Sequence, residues 1–202
     1  MKLPKKAKKV FKGLIFDIYQ WPQKLFTGKT ATFELAKRQD TVVIISTVKD
    51  KLVIIKQRQP QTKWFYSLPS GRMDKKGESP KKAALRELLE ETGMKPEKLK
   101  LWKTYHSSGK VVNTVHVFIA QNCDVVAKQK LDDGEKIEVN LLNFNDFLKL
   151  SDRSDCFYGV LTEDILKARI HPKLKKSLKQ QIFAKMSRPQ KNGRLVNMHI
   201  SW

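Results

Sequence analysis

Apolar residues follow two different spacings in the first part of the chain. Residues 13–21 and 30–37 alternate between apolar and polar side chains, and Gly28 lies between them. This alternation predicts two half-buried β-strands joined by a turn. Residues 41–47 and 51–59 instead contain continuous runs of β-branched and other aliphatic side chains. Such runs predict a hairpin whose strands are covered on both faces.

The pattern then changes from strand to helix and back again. A helix is predicted between Ser79 and Gly93, and from about Leu161 a helix, Pro172 and a basic amphipathic helix to about Met186 follow. Strands, a helix, strands and helices in this order predict an α/β fold in which helices cover both faces of a mixed sheet. The remaining strands are predicted at residues 64–68, 100–106, 111–120 and 137–142, and one short helix is predicted at residues 145–150.

Length and composition fit one α/β domain with an extension at each end. The chain has 202 residues and a hydrophobic content of 40%, which is enough for a core and too high for general disorder. We expect a basic segment and β extension at residues 1–40, a core domain at 41–152, and a basic helical extension with a tail at 153–202.

Several features indicate a cytoplasmic protein. No stretch approaches the roughly 20 consecutive apolar residues that span a bilayer. The N-terminal apolar run stops at Asp17 without a small-residue cleavage site, so we expect no secretion signal. Cys123 and Cys156 are distant in sequence, which suits a reducing compartment and provides no zinc motif.

The net charge of +21 is concentrated at the two ends of the chain. Residues 1–12 hold six lysines, residues 165–202 hold ten lysines or arginines, and neither segment contains a carboxylate. One interpretation is attraction to a polyanion such as a nucleotide, an RNA or a membrane surface. The other is a solvated, lysine-rich surface. Lysine outnumbers arginine, which does not favour nucleic acid as the partner.

Clear signals mark both ends of the helix predicted between Ser79 and Gly93. Ser79 is a suitable N-cap, Pro80 occupies the first helical position, and Gly93 suits the left-handed C-terminal stop. The rest of the helix carries acidic residues, Glu87, Glu90 and Glu91. The apolar positions expected to face the core are Ala84, Leu85, Leu88 and Leu89.

The acidic residues of this helix repel one another. Glu87 and Glu91 are four residues apart and so lie on one face, where like charges destabilise a helix by roughly 0.2–0.5 kcal/mol per pair. A hard cation such as Mg²⁺ or Mn²⁺ would reverse the sign of that interaction. A solvated acidic face, partly neutralised by Arg86, is the alternative.

The wider segment resembles the Nudix box, G-x5-E-x7-R-E-U-x-E-E-x-G-U, in which U is aliphatic. Every specified position from Glu78 to Met94 matches this pattern, including the spacer of seven residues. Six residues instead of five separate Gly71 from Glu78. The resemblance implies a Nudix-type α/β/α sandwich with a mixed sheet, and an enzyme that hydrolyses a phosphate–phosphate linkage with Mg²⁺ or Mn²⁺.

The resemblance also implies roles for individual residues. Glu87 and Glu91 would be the principal metal ligands, with Glu90 as a further ligand and Glu78 at an outer metal. Arg86 would hold a glutamate by a salt bridge. A backbone carbonyl near Ser70 or Gly71 would complete one coordination sphere.

Two segments outside the box resemble Nudix enzymes that act on ADP-ribose and nucleotide sugars. These are LPSGR at residues 68–72 and TFELAKRQDTVVII at residues 32–45. The resemblance implies hydrolysis of a nucleoside diphosphate linked to another group, giving NMP and a phosphorylated product. It also implies a homodimer with an N-terminal β region.

Some candidate residues lie outside the box. In this group of enzymes a later loop often supplies a carboxylate as general base, and residues 131–139 make Glu135 the first candidate and Asp133 the second; solvation of a turn is the alternative. Arg58 and Arg72 are candidates to contact phosphate. Trp21, Phe65 and Tyr105 are candidates to stack on a base, but aromatic residues more often fill the core.

Three other functions remain open at this point. The basic C-terminal region, residues 167–194, would suit an enzyme that removes pyrophosphate from the 5′ end of RNA. The chain would also suit a non-catalytic nucleotide-binding module, although such a module has no need of four adjacent acids. The basic amphipathic helix would also suit attachment to a membrane surface.

Overall fold

A computed structural model describes residues 3–107 and 109–183 of the chain. Within these ranges the chain forms twelve β-strands and four α-helices. The helices are α1 (Pro80–Thr92), α2 (Phe144–Lys149), α3 (Thr162–Ile170) and α4 (Pro172–Ile182). The strands are β1 (Lys8–Lys12), β2 (Phe16–Lys24), β3 (Thr30–Arg38), β4 (Thr41–Val48), β5 (Lys51–Arg58), β6 (Phe65–Ser67), β7 (Ser70–Arg72), β8 (Met94–His106), β9 (Val111–Val112), β10 (Thr114–Val125), β11 (Lys136–Leu142) and β12 (Cys156–Phe157).

The strands form two sheets. A four-stranded sheet has the order β1-β2-β3-β9, and an eight-stranded sheet has the order β12-β6-β5-β4-β10-β8, with β11 paired to β5 and β7 paired to β4. The larger sheet is mixed, because β4 and β10 run parallel whereas β8 and β10 run antiparallel.

Helices cover both faces of the larger sheet. Alternate residues of β4 point to opposite faces, so that Val42 and Ile44 pack with α1 while Ile45 packs with α2, α3 and α4. Each face therefore has its own apolar cluster, as the continuous aliphatic runs of β4 and β5 require. The predicted α/β/α sandwich with a mixed sheet is confirmed.

Several predicted elements differ from the observed ones. The predicted strand at 111–120 is two strands, because β9 pairs with β3 in the small sheet and β10 pairs with β4 in the large sheet. The predicted strand at 100–106 begins earlier, at Met94. The basic N-terminal segment forms strand β1, and residues 70–72, where no strand was predicted, form strand β7. In these cases, pairing with strands that are distant in sequence determines where each strand begins and ends.

The C-terminal helices end the described part of the chain. The basic amphipathic helix α4 stops at Ile182, four residues before the predicted end at Met186, and the predicted tail lies outside the described residues. Leu178 and Ile182 of α4 are buried in the same cluster as Phe147 of α2 and Ile165 of α3. In residues 3–107 and 109–183, no helix has the length and apolar character needed to cross a membrane.

Candidate active site

Capping residues define the two ends of helix α1. The Ser79 side chain accepts a hydrogen bond from the Lys82 backbone N–H at 3.3 Å, as the predicted N-cap requires. Gly93 has a φ of 70°, and its N–H donates to the Leu89 carbonyl. Pro80 occupies the first turn. These caps set where α1 begins and ends.

The buried face of α1 is rotated from the predicted apolar stripe. Ala83, Ala84 and Leu88 are buried in the cluster beneath the helix, whereas Leu85 is exposed. The stripe was therefore wrongly predicted at Leu85. Because Glu91 follows Leu88 by three residues, it shares the buried face, and only 5% of its surface is exposed.

Strand β7 lies directly against two glutamates of α1. The backbone N–H of Ser70 donates to Glu91 Oε2 at 2.9 Å. A Cβ at Gly71 would lie 2.0 Å from Cδ of Glu87, so a side chain there would displace the Glu87 carboxylate from its present position. Glu87 and Glu91 are thus held side by side between the helix and the strand, one turn apart as predicted.

Arg86 connects the other carboxylates. It donates two hydrogen bonds to Glu78, from Nε and Nη2, both at 2.9 Å. Its Nη1 donates to Glu87 at 2.7 Å and to Glu90 at 3.0 Å. Its hydrogen bonds lower the pKa of Glu78 below its ordinary value. Four of the predicted site residues therefore form a single hydrogen-bonded network.

Burial disfavours the ionised forms of the two central glutamates. Burial raises the pKa of Glu87 to about 7, although Arg86 opposes the shift. Burial also raises the pKa of Glu91 well above its ordinary value; the Ser70 N–H lowers it, and the charges of Glu87, Glu135 and Glu90 raise it further. The protein thus places two acids where, without a cation, their charge is destabilising.

The residues around Glu91 fit a divalent cation. The available donors are carboxylate and backbone oxygens, which hard cations prefer. Only one hydrogen bond reaches the side chain of Glu91 among the described residues, so its carboxylate retains acceptor capacity. In that part of the chain no three acidic, histidine or cysteine side chains converge as a preformed metal cage. Arg86 occupies oxygens of Glu78, Glu87 and Glu90.

A segment at residues 126–130 joins α1 to the predicted base loop. The backbone N–H groups of Val126 and Ala127 donate to the Gly93 carbonyl at 2.9 and 3.1 Å, and that of Lys130 donates to the Glu90 carbonyl at 2.8 Å. The Gln129 side chain donates to the carbonyl of Glu91 at 2.5 Å. Gln129 was not predicted, because no local sequence pattern marks a hydrogen bond between residues so far apart.

The loop that follows this segment carries the two predicted base candidates in different environments. Glu135 is half-buried, whereas Asp133 is exposed. Burial raises the pKa of Glu135, and the charges of Asp132 and Glu90 raise it further. Glu135 in turn raises the pKa of Glu91. Its charge therefore lies within reach of the α1 glutamates.

The predicted phosphate-binding arginines lie around Glu135. Arg58 lines a cavity of about 200 Å³ together with Asp133, Glu135 and Lys136. The charge of Arg72 lowers the pKa of Glu135 and so partly offsets the effect of burial. The structure thus brings Arg58, Arg72, Glu135 and the α1 glutamates into one region.

The aromatic candidates do not share this location. Trp21 is buried and packs against Phe33 in the small sheet. The Tyr105 hydroxyl donates to Asp164 of α3, on the sheet face opposite α1. Phe65 is half-buried in β6. A structural role accounts for Trp21 and Tyr105.

Comparison with known families agrees with the geometry. The NUDIX domain matches residues 37–158, which is more than half of the chain and includes the whole of α1. The chain belongs to the Nudix family. It is accordingly a Nudix hydrolase, and members of this family generally need a divalent metal ion.

Curated relatives of this Nudix hydrolase extend over most of its length. It is 35% identical over 152 residues to an ADP-ribose pyrophosphatase of Bacillus subtilis, covering 73% of this chain and 82% of that protein. It is 28% identical to a methanol dehydrogenase activator of Bacillus methanolicus, covering 71% of this chain and 80% of that protein. It is 36% identical to an ADP-sugar pyrophosphatase of Mus musculus, covering 60% of this chain and 64% of that protein.

A solved structure supports the fold. The crystal structure of an ADP compounds hydrolase superposes with a TM-score of 0.68 at 20% sequence identity. The match covers 90% of this Nudix hydrolase and 98% of that chain. At this level of identity the similarity supports the fold alone.

Proposed function

We propose that this Nudix hydrolase cleaves the pyrophosphate bond of ADP-ribose or a nucleotide sugar, releasing NMP and a phosphorylated product. The observation that carries the proposal is the pair formed by buried Glu91 and half-buried Glu87, held against β7 with their pKa values raised. Two carboxylates repel an anionic substrate. They suit its binding only when cations neutralise the charge of the carboxylates and of the substrate. The two pyrophosphatase relatives support the choice of an ADP-linked substrate.

We propose Mg²⁺ or Mn²⁺ as the cation. Glu87, Glu91 and Glu90 of α1 would hold it, with Glu78 at an outer position and the Ser70 carbonyl completing the coordination. When bound, the cation neutralises phosphate charge and makes the phosphorus more electrophilic. Neutral imidazole and thiolate ligands are absent from this group of residues, which favours a hard cation over zinc.

The remaining residues of the region have complementary roles in this proposal. Arg86 positions Glu78, Glu87 and Glu90 through its hydrogen bonds. Glu135 removes a proton from the attacking water, with Asp133 as the second candidate. Arg58 and Arg72 bind phosphate oxygens. Gly71 allows Glu87 to approach β7.

Substrate and product analysis tests the proposed activity. With Mg²⁺ or Mn²⁺ we expect ADP-ribose to give AMP and ribose 5-phosphate, at a higher kcat/KM than nucleoside triphosphates or dinucleoside polyphosphates. Chromatography of the products identifies the cleaved bond. Preferential release of pyrophosphate from 5′-triphosphorylated RNA would instead establish RNA as the substrate. Nucleotide binding without turnover of any compound would establish a non-catalytic module.

We also propose that the small sheet mediates a homodimer. Four apolar side chains on β1, β2 and the turn between them are between 39% and 60% exposed, namely Val10, Phe11, Ile15 and Phe16. A second copy of the chain would cover such a patch. Light scattering should give twice the mass of 23.4 kDa, and Phe11→Asp should lower it toward that of one chain. A monomeric wild-type protein would exclude the dimer.

The division of the chain and its location complete the proposal. We propose an N-terminal extension at residues 1–40, a catalytic core at 41–152 and a C-terminal extension at 153–202. The free thiols of Cys123 and Cys156 support a reducing location such as the cytoplasm. Recovery of the protein in a secretory or periplasmic fraction, and not in the cytoplasmic fraction, would contradict that location.

A further inference from the structure

Helices α3 and α4 form a surface on the side of the large sheet opposite the candidate active site. Ile165 and Ala168 of α3 and Leu178 and Ile182 of α4 are buried in the apolar cluster of that face. Helix α1 packs on the other face. A partner bound to the outward faces of α3 and α4 is therefore separated from the α1 glutamates by the sheet.

The positive charge of this surface lies on α4, which contains four lysines and no carboxylate. On α3 the basic residues are paired with acids, Lys167 with Glu163 and Arg169 with Asp152. On α4, Lys173 and Lys176 are exposed, and their spacing of three residues places them on one side of the helix, away from the buried Leu178 and Ile182. Within the described residues, no acidic side chain forms a salt bridge with the lysines of α4.

Aliphatic side chains are exposed among these charges. Leu166 and Ile170, one turn apart on α3, are 44% and 71% exposed, and Leu174 on α4 is 47% exposed. Neither helix contains an aromatic residue, and in the described part of the chain the unpaired lysines next to these side chains are those of α4. Exposed aliphatic residues flanked by lysines are typical of helices that lie in a bilayer interface. Surfaces for single-stranded nucleic acid instead use aromatic stacking and arginine.

We propose that the outward faces of α3 and α4 bind the surface of an anionic lipid bilayer. The lysines of α4 are attracted to the phosphates and carboxylates of the lipid headgroups, and Leu166, Ile170 and Leu174 enter the boundary between headgroups and acyl chains. Because α1 lies on the opposite face, the enzyme would keep its active site accessible to a water-soluble substrate while attached. The proposal is independent of which nucleotide is hydrolysed.

Vesicle binding by the full-length protein tests this surface. The protein should co-sediment with vesicles of phosphatidylcholine mixed with phosphatidylserine, far less with phosphatidylcholine alone, and less as salt is raised. The double variant Lys173→Gln/Lys176→Gln should lower the partition coefficient by about 30-fold, since each lysine near an anionic surface contributes about a fivefold factor. The variant Ile170→Ser/Leu174→Ser should also weaken binding.

A matched variant controls for net charge. Lys81→Gln/Lys82→Gln removes two exposed lysines from α1, on the opposite face of the sheet. If the position of the lysines, and not the net charge, determines binding, this variant should bind vesicles within about twofold of the wild type. Circular dichroism and thermal melting confirm that each variant is folded. Equal loss of binding in the two lysine variants would overturn the proposal. The proposal would also be overturned if Lys173→Gln/Lys176→Gln lost affinity for an RNA oligonucleotide but still bound vesicles as the wild type does.

Discussion

Replacement of Glu91 by glutamine should reduce metal-dependent turnover by at least about 100-fold, the upper range for loss of a metal's supporting contacts. The change keeps the size of the side chain and the oxygen that accepts the Ser70 N–H, but it removes the negative charge. Glu87→Gln should have a similar effect. Steady-state kinetics at several Mg²⁺ concentrations measure both.

The same substitution should stabilise the protein when metal is removed. The pKa of Glu91 is raised in the folded state, so the folded state holds its proton more tightly than the unfolded state does. The stabilising contribution of this proton is complete below the unfolded pKa and is lost as pH rises through the folded pKa. At neutral pH in EDTA, Glu91→Gln should therefore melt at a higher temperature than the wild type. This gain should shrink at acidic pH.

Metal titration of the melting temperature separates the two effects. Mg²⁺ or Mn²⁺ should raise the melting temperature of the wild type, because binding to the folded state alone stabilises it, and should raise that of Glu91→Gln less. Glu97→Gln, at an exposed glutamate bonded to Asn122, is the matched control. Full activity and an unchanged metal response in Glu91→Gln would contradict the assignment of Glu91 as a ligand.

Replacement of Glu135 by glutamine should lower kcat by about 10²–10⁴-fold, the usual contribution of a general base. Asp133→Asn should have a much smaller effect, because Asp133 is exposed whereas Glu135 is half-buried and electrostatically coupled to the α1 glutamates. A base acts only when ionised. The acidic limb of the kcat profile should therefore follow the raised pKa of Glu135 and should be absent in Glu135→Gln.

Metal binding distinguishes a base from a ligand in this pair of variants. Glu135→Gln should retain the full metal-induced rise in melting temperature, which should be smaller in Glu91→Gln. If Asp133→Asn loses activity and Glu135→Gln does not, the two candidates exchange roles. If both variants keep full kcat, the base lies outside this loop.

The sequence predicted α1 and its acidic residues well, because the signals for them are local. Ser79, Pro80 and Gly93 act on the backbone within a few residues of themselves, and the structure has caps at these positions. The hairpin of β4 and β5 was likewise predicted from its aliphatic runs. Its turn contains Lys49 with a φ of 54°, a conformation that a tight turn imposes.

Features that depend on distant residues were not predictable in the same way. Strand β7 exists because Ser70, Gly71 and Arg72 pair with β4, and three residues carry no strand pattern of their own. The burial of Glu91 follows from the rotation of α1 against the sheet, which placed Ala83 and not Leu85 in the core. Periodicity gives the spacing of a helical stripe, but packing against the sheet decides which edge of it is covered.

The contacts of residues 126–130 with α1 have an evolutionary consequence. Three of the four bonds that join this segment to the helix carbonyls come from backbone N–H groups, at Val126, Ala127 and Lys130. Backbone donors are present whatever the side chain, unless it is proline. Most side chains of this stretch can therefore be replaced without loss of these bonds, Gln129 excepted, whereas an insertion or deletion would displace the Glu135 carboxylate from the helix.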